Sequence, residues 1–474
     1  MFRKTLAGAI MVIAGAANTL AGVPTYSQFD LYARTNFAAN PGGAYKLPGN
    51  YFFSGENIAI NDSRQVAFHL SVTTGLFASV WFGEPNEFDI PDGSIVYNSA
   101  DDAFLSNVTL NNNGIAVWEE AFVTTEGVYS YNANTNTAGF LMNRPLGCTD
   151  WGTPEINDSN QVGFRGRLGT GNGYFSWDPT APTSVAEHVL DVALNPGSPF
   201  SFLFTPSFNN NRQIASSARF GPGTGGSNPD EIRIWNADGS STIIARDDDA
   251  DPMSPFVSFD NSPALNNVGQ VAFVANLAGG ERGVFLSDGT TTITIAREST
   301  SPVSDVEFFG PDVNDAGLVT FRAFDDDGFR AIWVGDGTTL TRVVTEHDIL
   351  PSDQGPARVD QNVVSSPVFG GAPRINANGD IAFNCGLTPP DNNQIEWGTG
   401  IYVARASVPT PCPGDVTGPG GQPDGQVDVD DLNAILSAFN TAVGMGSPLD
   451  LANNDGFVDV DDLNVVLSNW QNCP

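Results

Sequence analysis

One eight-residue pattern recurs seven times along this chain, and any fold must accommodate every copy. It runs Asn-x-x-Gly-x-(Val/Ile)-Ala-Phe. The copies begin at Asn61 (NDSRQVAF), Asn111 (NNNGIAVW), Asn157 (NDSNQVGF), Asn209 (NNNRQIAS), Asn266 (NNVGQVAF), Asn314 (NDAGLVTF) and Asn376 (NANGDIAF). Their spacing is about 50 residues and varies as loop insertions would make it vary. The Asn bonds its own backbone and opens a turn. The fourth position favours a positive φ and holds Gly114, Asn160, Gly269, Gly317 and Gly379. Arg64 and Arg212 stand there in the other two of these turns, which predicts a different turn for them. The next residues alternate as in a half-buried strand, with Val66 and Phe68 on one side and Ala67 on the other.

A second strand follows each motif, as in GVYSY from Gly127, GYFSW from Gly173, IRIWN from Ile232, GVFLS from Gly283, AIWVG from Ala331 and GIYVA from Gly400. Asp238-Gly239, Asp288-Gly289 and Asp336-Gly337 then signal hairpins. A third strand comes next (TIIAR at 242–246, TITIAR at 292–297, LTRVV at 340–344). A segment such as VSFDNSPAL before Asn266 supplies a fourth. Helix-forming Lys and Glu are few, while Gly, Asn, Asp, Ser and Thr abound, which suits short strands and tight turns. Four strands in each of seven repeats predict a mainly β chain, a seven-bladed β-propeller over residues 23–406. An open β-solenoid or another blade number is the alternative. The last repeat ends at GIYVARA without a hairpin partner. FDLYARTN at 29–36 resembles TITIARES at 292–299, so the N-terminal strand is expected to complete the last blade and hide two sheet edges. These repeats resemble the tandem N-x-x-G-x-x-A-F family of bacterial exported proteins, which carry varied C-terminal anchoring modules. The resemblance covers most of 29–406 and speaks of structure, not chemistry.

Residues 1–22 read as a secretory signal. Arg3 and Lys4 precede an apolar stretch from Leu6 to Ala17, and small residues around Ala21 and Gly22 suit cleavage. That stretch is too short for a stable membrane span, and no Cys follows it for a lipid anchor. The expectation is a protein secreted, extracellular or at the cell surface. A net charge of -34 with a pI near 4.1 argues against nucleic acid as a partner.

Residues 407–414 (SVPTPCPG) form a Pro-rich linker, after which the pattern changes from period 2 to period 3.6. Within 412–474, DGQVDVDDLNAILSAF from Asp424 is nearly repeated by DGFVDVDDLNVVLSNW from Asp455. Leu432, Ile435, Leu436 and Phe439, and again Leu463, Val466, Leu467 and Trp470, fall on one face of a helix. The segment 412–474 holds ten Asp and no Lys, Arg or Glu. Two carboxylates about 4 Å apart repel by ~4 kcal/mol at an effective dielectric near 20, so converging ones call for a cation. Calcium fits, since it takes six to eight oxygen ligands in flexible geometry. Gly425 and Gly456 allow the bend such a loop needs.

The two loops resemble the duplicated calcium loops of type I dockerins. The resemblance implies ligands Asp415, Thr417, Asp424, Asp428 and Asp431 with the Gln426 carbonyl. In the second loop it implies Asn453, Asp455, Asp459 and Asp462 with the Phe457 carbonyl. PGGQP at 419–423 interrupts the first loop. In the second, Leu451 fills the first ligand position and Asp450 lies one residue early, where a bulge would bring it in. Dockerins dock on cohesins in polysaccharide-degrading assemblies, so a cohesin-like module or cell-surface receptor is the implied partner. Val429-Asp430 and Val460-Asp461 replace the small hydroxyl residues of that contact. Cys412 and Cys473 bracket the module and are expected to form a disulfide. Cys148 and Cys385 are left open.

Catalytic patterns are missing. His69, His188 and His347 fall at unrelated places, and neither G-x-S-x-G nor H-E-x-x-H occurs. Asp247-Asp248-Asp249 and Asp325-Asp326-Asp327 read as solvated turn residues. The reading is a non-catalytic recognition or structural propeller with a calcium-dependent docking module. A carbohydrate ligand and a role in extracellular polysaccharide degradation are its candidate context. A polysaccharide hydrolase or lyase is the alternative, and an anchored structural protein a third.

Overall fold

Each motif opens the second strand of a small antiparallel sheet, and seven such sheets follow one another along the chain. The computed structural model describes residues 22–35, 42–47, 51–52, 58–72, 78–99, 104–121, 126–143, 147–148, 152–181, 185–221, 228–260, 262–299, 302–361, 368–407, 413–417, 426–444, 447–453 and 455–470. The signal sequence apart from Gly22, most of the linker, Asp424 and the Cys412–Cys473 pair lie outside these residues. The chain divides into two units, 1–406 and 407–474.

The first unit is a seven-bladed β-propeller. Blade 5 is representative: Phe256–Phe259, Val271–Leu277, Arg282–Ser287 and Thr292–Arg297 pair in chain order. A two-residue strand, Ala264–Leu265, pairs with the start of Val271–Leu277 and forms the innermost edge. In blade 7, Gly398–Ser407 hydrogen-bonds on its outer side with Thr25–Arg34, so the N-terminal strand closes the ring.

The motif Asn makes two kinds of bond. Asn209 Oδ1 accepts from the Asn211 and Gln213 amides, which fixes its own turn. Its Nδ2 donates to the Asn266 carbonyl of the next blade. The same donation runs from Asn61 to Asn111, Asn111 to Asn157, Asn157 to Asn209, Asn266 to Asn314, Asn314 to Asn376, and Asn376 back to Asn61. These seven bonds of 2.9–3.2 Å form a closed circle. Arg64 and Arg212 do not use a different turn. Their φ values of 57° and 60° match those of Asn160 and the motif glycines. Side-chain bonds offset that backbone cost: Arg64 reaches Asp89 at 2.6 Å, and Arg212 Nε reaches the Ser176 hydroxyl at 2.8 Å.

The hydrophobic core is divided among the seams between blades. Phe273, Phe285 and Phe256 of blade 5 pack with Ile232, Ile234 and Ile244 of blade 4, and each of the other seams has a cluster of its own. The second strands are therefore buried on both faces, not half-buried. Val66, Ala67 and Phe68 all have zero exposure. The residue pattern alternates in size, Val-Ala-Phe, because each blade presents two different faces to two neighbours. The closing strand adds a buried ion pair: Arg34 Nε lies 2.8 Å from Asp353 Oδ1 and Arg34 Nη2 lies 3.1 Å from Oδ2.

The second unit holds two short helices, α1 (Val429–Ala438) and α2 (Val460–Ser468). Asp428 and Asp459 cap them, each in a reciprocal capping box with Asp431 or Asp462. Val427, Ile435, Val458 and Val466 form its core, with each half contributing equivalent positions. Leu436 and Leu467 were expected on the buried face but are 49% and 50% exposed. Helices this short need only a narrow stripe to cover the small core. No described helix is long and apolar enough to cross a membrane.

Candidate functional site

The innermost strands line the axis of the propeller. Two positions before each motif Asn stand Ala59, Thr109, Glu155, Ser207, Ala264, Asp312 and Arg374, so three charges enter a ring otherwise made of small residues. Each links neighbouring blades where its chemistry allows. Glu155 Oε2 accepts from the Phe208 amide at 2.6 Å, Ser207 Oγ from the Leu265 amide, and Asp312 Oδ2 from the Ile375 amide. Thr109 Oγ1 donates to the Pro154 carbonyl. Arg374 Nη1 lies 3.4 Å from Asp312 Oδ1.

Burial in the axis pushes the Glu155 carboxyl up to about 7, against the opposing pull of Arg374, and Asp312 adds to the rise by repulsion. Burial likewise raises Asp312. Glu155 is thus a group that exchanges a proton near neutral pH. It faces a cavity of about 350 Å³ whose wall also includes Asn107, Thr153, Thr205, Ser262, Phe308 and Arg374. At the rim, Phe308 is 65% exposed and stacks on Phe309 with centroids 4.8 Å apart and planes 19° apart. The buried Arg322 guanidinium sits 3.9 Å from the Phe309 ring centre and is itself held by Glu307.

The far end of the axis opens through a cavity of about 400 Å³, bordered by the motif turns. Its rim carries Asp62, Asn112, Asp158, Asn210, Asn267, Asp315 and Ala377. Each of the first six accepts from the backbone amide of the preceding blade's turn. Ala377 lacks an acceptor and breaks the circle. Asp62 titrates above the usual carboxylate range, first through burial and further through repulsion from Asp158 and Asp315.

Elsewhere Asp248, Asp249, Asp326 and Asp327 are exposed turn residues as expected, and only the first residue of each acidic run differs. Asp247 and Asp325 are not solvated: they are 2% and 4% exposed and accept backbone amides of their own turns. His188 is buried between Ser176 and the Trp235 carbonyl, and burial lowers its pKa to about 4. Glu346, His347 and Asp360 bring donor atoms within 4.8 Å of one another. Arg358 already lies 3.1 Å from Asp360, so a guanidinium occupies that cluster's charge. Cys148 and Cys385 are both buried.

In the second unit, Asp431 Oδ1 accepts from the Val416 and Thr417 amides and Oδ2 from Asp428. Asp462 repeats this with Leu451, Ala452 and Asp459. Asp415 is buried and Gln426 exposed. Asp455 accepts from the Phe457 amide, and Asn453 has a φ of 55°. Asp450 does turn into the second loop, where its Oδ2 accepts from the Gly456 amide at 2.8 Å. Its Oδ1 is buried without a hydrogen-bond partner. Among the described residues, the loop carboxylates do not gather as closely as the Glu346 cluster does.

Residues 26–290 match DUF7453, a family of unknown function. The chain belongs to that family. The DUF7453 match starts in the closing strand and ends at the outer turn of blade 5. No curated protein matches the chain in sequence. Among solved structures, an oligogalacturonate lyase in complex with manganese is 12% identical, covers 81% of this chain and 98% of its own, and has a TM-score of 0.49. TolB from Acinetobacter baumannii is 11% identical over 59% of this chain and 63% of its own, with a TM-score of 0.39. An acylaminoacyl peptidase of Pyrococcus horikoshii is 11% identical over 69% of this chain and 50% of its own, with a TM-score of 0.45. The chain therefore spans less than two thirds of TolB and half of the peptidase. The likeness is one of fold.

The axial residues escaped the sequence reading. The signal was available: aligning the repeats on their Asn places Glu155, Asp312 and Arg374 in one column with Ala and Ser.

Proposed function

We propose that this DUF7453 protein is an exported recognition protein, with a ligand-binding propeller and a calcium-dependent docking tail. The observation that carries the reading is the matched apolar pair on each half of the tail. Val429 with Leu436 and Val460 with Leu467 are each 49–56% exposed, at equivalent positions of two near-identical helices. Such a duplicated surface suits a protein partner, cohesin-like or a cell-surface receptor, approached in either of two orientations.

Calcium is supported by the donor chemistry of the second loop. The orphaned Asp450 Oδ1 would be satisfied by a cation, with Asp455 and Asp459 supplying further oxygens. The first loop would use Asp415, Asp424 and Asp428. When bound, the ion offsets repulsion among these carboxylates. Isothermal titration of the full chain with calcium chloride, after chelator treatment, tests the tail. Heats matching one or two sites per chain are expected, and their absence removes the calcium reading. Amino-terminal sequencing of the released protein tests export, with a start near Gly22 or Val23 expected.

A polysaccharide hydrolase or lyase is the second reading, favoured by Glu155, whose pKa of about 7 suits proton transfer. Assays against plant and algal polysaccharides decide it: product release abolished by Glu155→Gln supports catalysis, and no turnover on any of them removes it.

A further inference from the structure

Asn107 lines the axial cavity, and its Oδ1 is buried with no hydrogen-bond partner. A buried acceptor left open costs stability, and nothing in the fold repays it. Across the same cavity, Glu155 is poised between its neutral and ionised forms at neutral pH, so it both donates and accepts. Thr153, Thr205 and Ser262 add uncharged polar groups to the wall. Arg374 is the one cation among the residues lining the cavity, and Asp312, outside that lining, offsets its charge. In a chain of net charge -34, this cavity is close to neutral.

The rim adds an aromatic surface that is held still. Phe309 packs against the buried Arg322 guanidinium, and Phe308 stacks on Phe309 while remaining 65% exposed. The stack on Phe309 places this exposed ring beside a polar cavity. A planar apolar platform next to donors and acceptors matches a ring with one face of C–H bonds and an edge of hydroxyls. The volume of about 350 Å³ lies at the small end of ligand sites.

We infer that the axial cavity binds the end of a neutral saccharide, its sugar ring seated on Phe308 and its hydroxyls reaching Asn107 and Glu155. This deepens the recognition reading of the propeller and rests on it. The cavity's charge balance favours neutral over acidic sugars, because Arg374 on its wall is already paired with Asp312 and an added carboxylate would meet Glu155.

The test is saturation-transfer NMR and calorimetry on the full chain, using tetrasaccharides of β-glucan, xylan, mannan and galactan, with tetragalacturonate as the acidic probe. Binding of at least one neutral tetrasaccharide is expected. Phe308→Ala should weaken it by about ten- to a hundredfold, the value of one buried aromatic side chain, while Phe308→Trp retains it. Asn107→Leu should weaken binding without lowering the urea midpoint, since it removes an unsatisfied acceptor. Binding that survives both Phe308→Ala and Asn107→Leu would overturn this site while leaving saccharide recognition elsewhere on the propeller intact. Failure of all five probes to bind would overturn the saccharide reading itself. Tighter binding of tetragalacturonate than of any neutral probe would refute the charge argument.

Discussion

Replacing Asn209 probes the circle of inter-blade bonds directly. Its side chain makes four bonds: two accepted from the Asn211 and Gln213 amides, and two donated, to Gln213 Oε1 and the Asn266 carbonyl. It is 3% exposed. Asn209→Ala leaves two amides and a carbonyl without partners, and at about 1–1.5 kcal/mol for each the loss should be roughly 3–5 kcal/mol. Asn209→Asp is more informative. It keeps both accepted bonds and removes the donation to Asn266, facing a carboxylate with a carbonyl at neutral pH. The loss at pH 7.5 should be about 2–3 kcal/mol. A protonated carboxyl donates again, so stability should recover in acid. The sign follows from linkage: burial raises the folded pKa of the new carboxyl above its unfolded value near 3.9. Its contribution is therefore full below that unfolded value and fades as pH rises through the folded one. Urea unfolding, followed by tryptophan fluorescence to which the buried Trp235 of the same blade contributes, reads this as a midpoint difference from wild type at each pH. An Asn209→Asp midpoint equal to wild type at pH 7.5, or a deficit that does not shrink at pH 4, would show that the inter-blade donation contributes nothing.

Further outcomes follow from other contacts. Asp353→Ala strands the buried Arg34 guanidinium and should cost about 3–5 kcal/mol in urea unfolding, far more than removal of an exposed charge. Glu155→Gln should stabilise the propeller by about 3 kcal/mol at pH 8 and by little at pH 4.5. The wild-type carboxyl has a folded pKa of about 7, so its contribution is present below its unfolded value and lost as pH rises through 7; paired melting curves at the two pH values check this. Phe273→Ala, at zero exposure in the seam between blades 4 and 5, should cost about 3–5 kcal/mol by the same unfolding assay. Asp455→Asn combined with Asp459→Asn should abolish calcium heats from the second loop while leaving the main melting transition in place, as calorimetry would register.

The fold was readable because its repeat is made of local chemistry. The motif Asn, the positive-φ position and the Asp-Gly turns act within a few residues, and their recurrence counts the blades. What stayed hidden depends on contacts between repeats. Arg64 and Arg212 looked like exceptions because their compensating bonds reach Asp89 and Ser176, which no local rule would place beside them. The strands looked half-buried because alternation reports a change of neighbour, not a solvent face. The axial charges were invisible to a search for local catalytic motifs, since Glu155, Asp312 and Arg374 sit on three different blades. Leu436 and Leu467 matched a buried helical stripe, and only the small size of the tail's core leaves them outside it.

The closing strand has a consequence for how such a chain comes into being. Thr35 meets Thr399 across 364 positions of sequence, beside the pairing of Thr25–Arg34 with Gly398–Ser407. At a synthesis rate of 5–20 residues per second, the first strand is made roughly 20–70 s before its partner. Throughout that interval the first strand has no sheet partner and is an open template for another copy of the chain. A message broken before codon 398 would thus yield not a smaller propeller but an open arc with adhesive ends. Only a chain translated through the last blade can pair its first strand and close the ring.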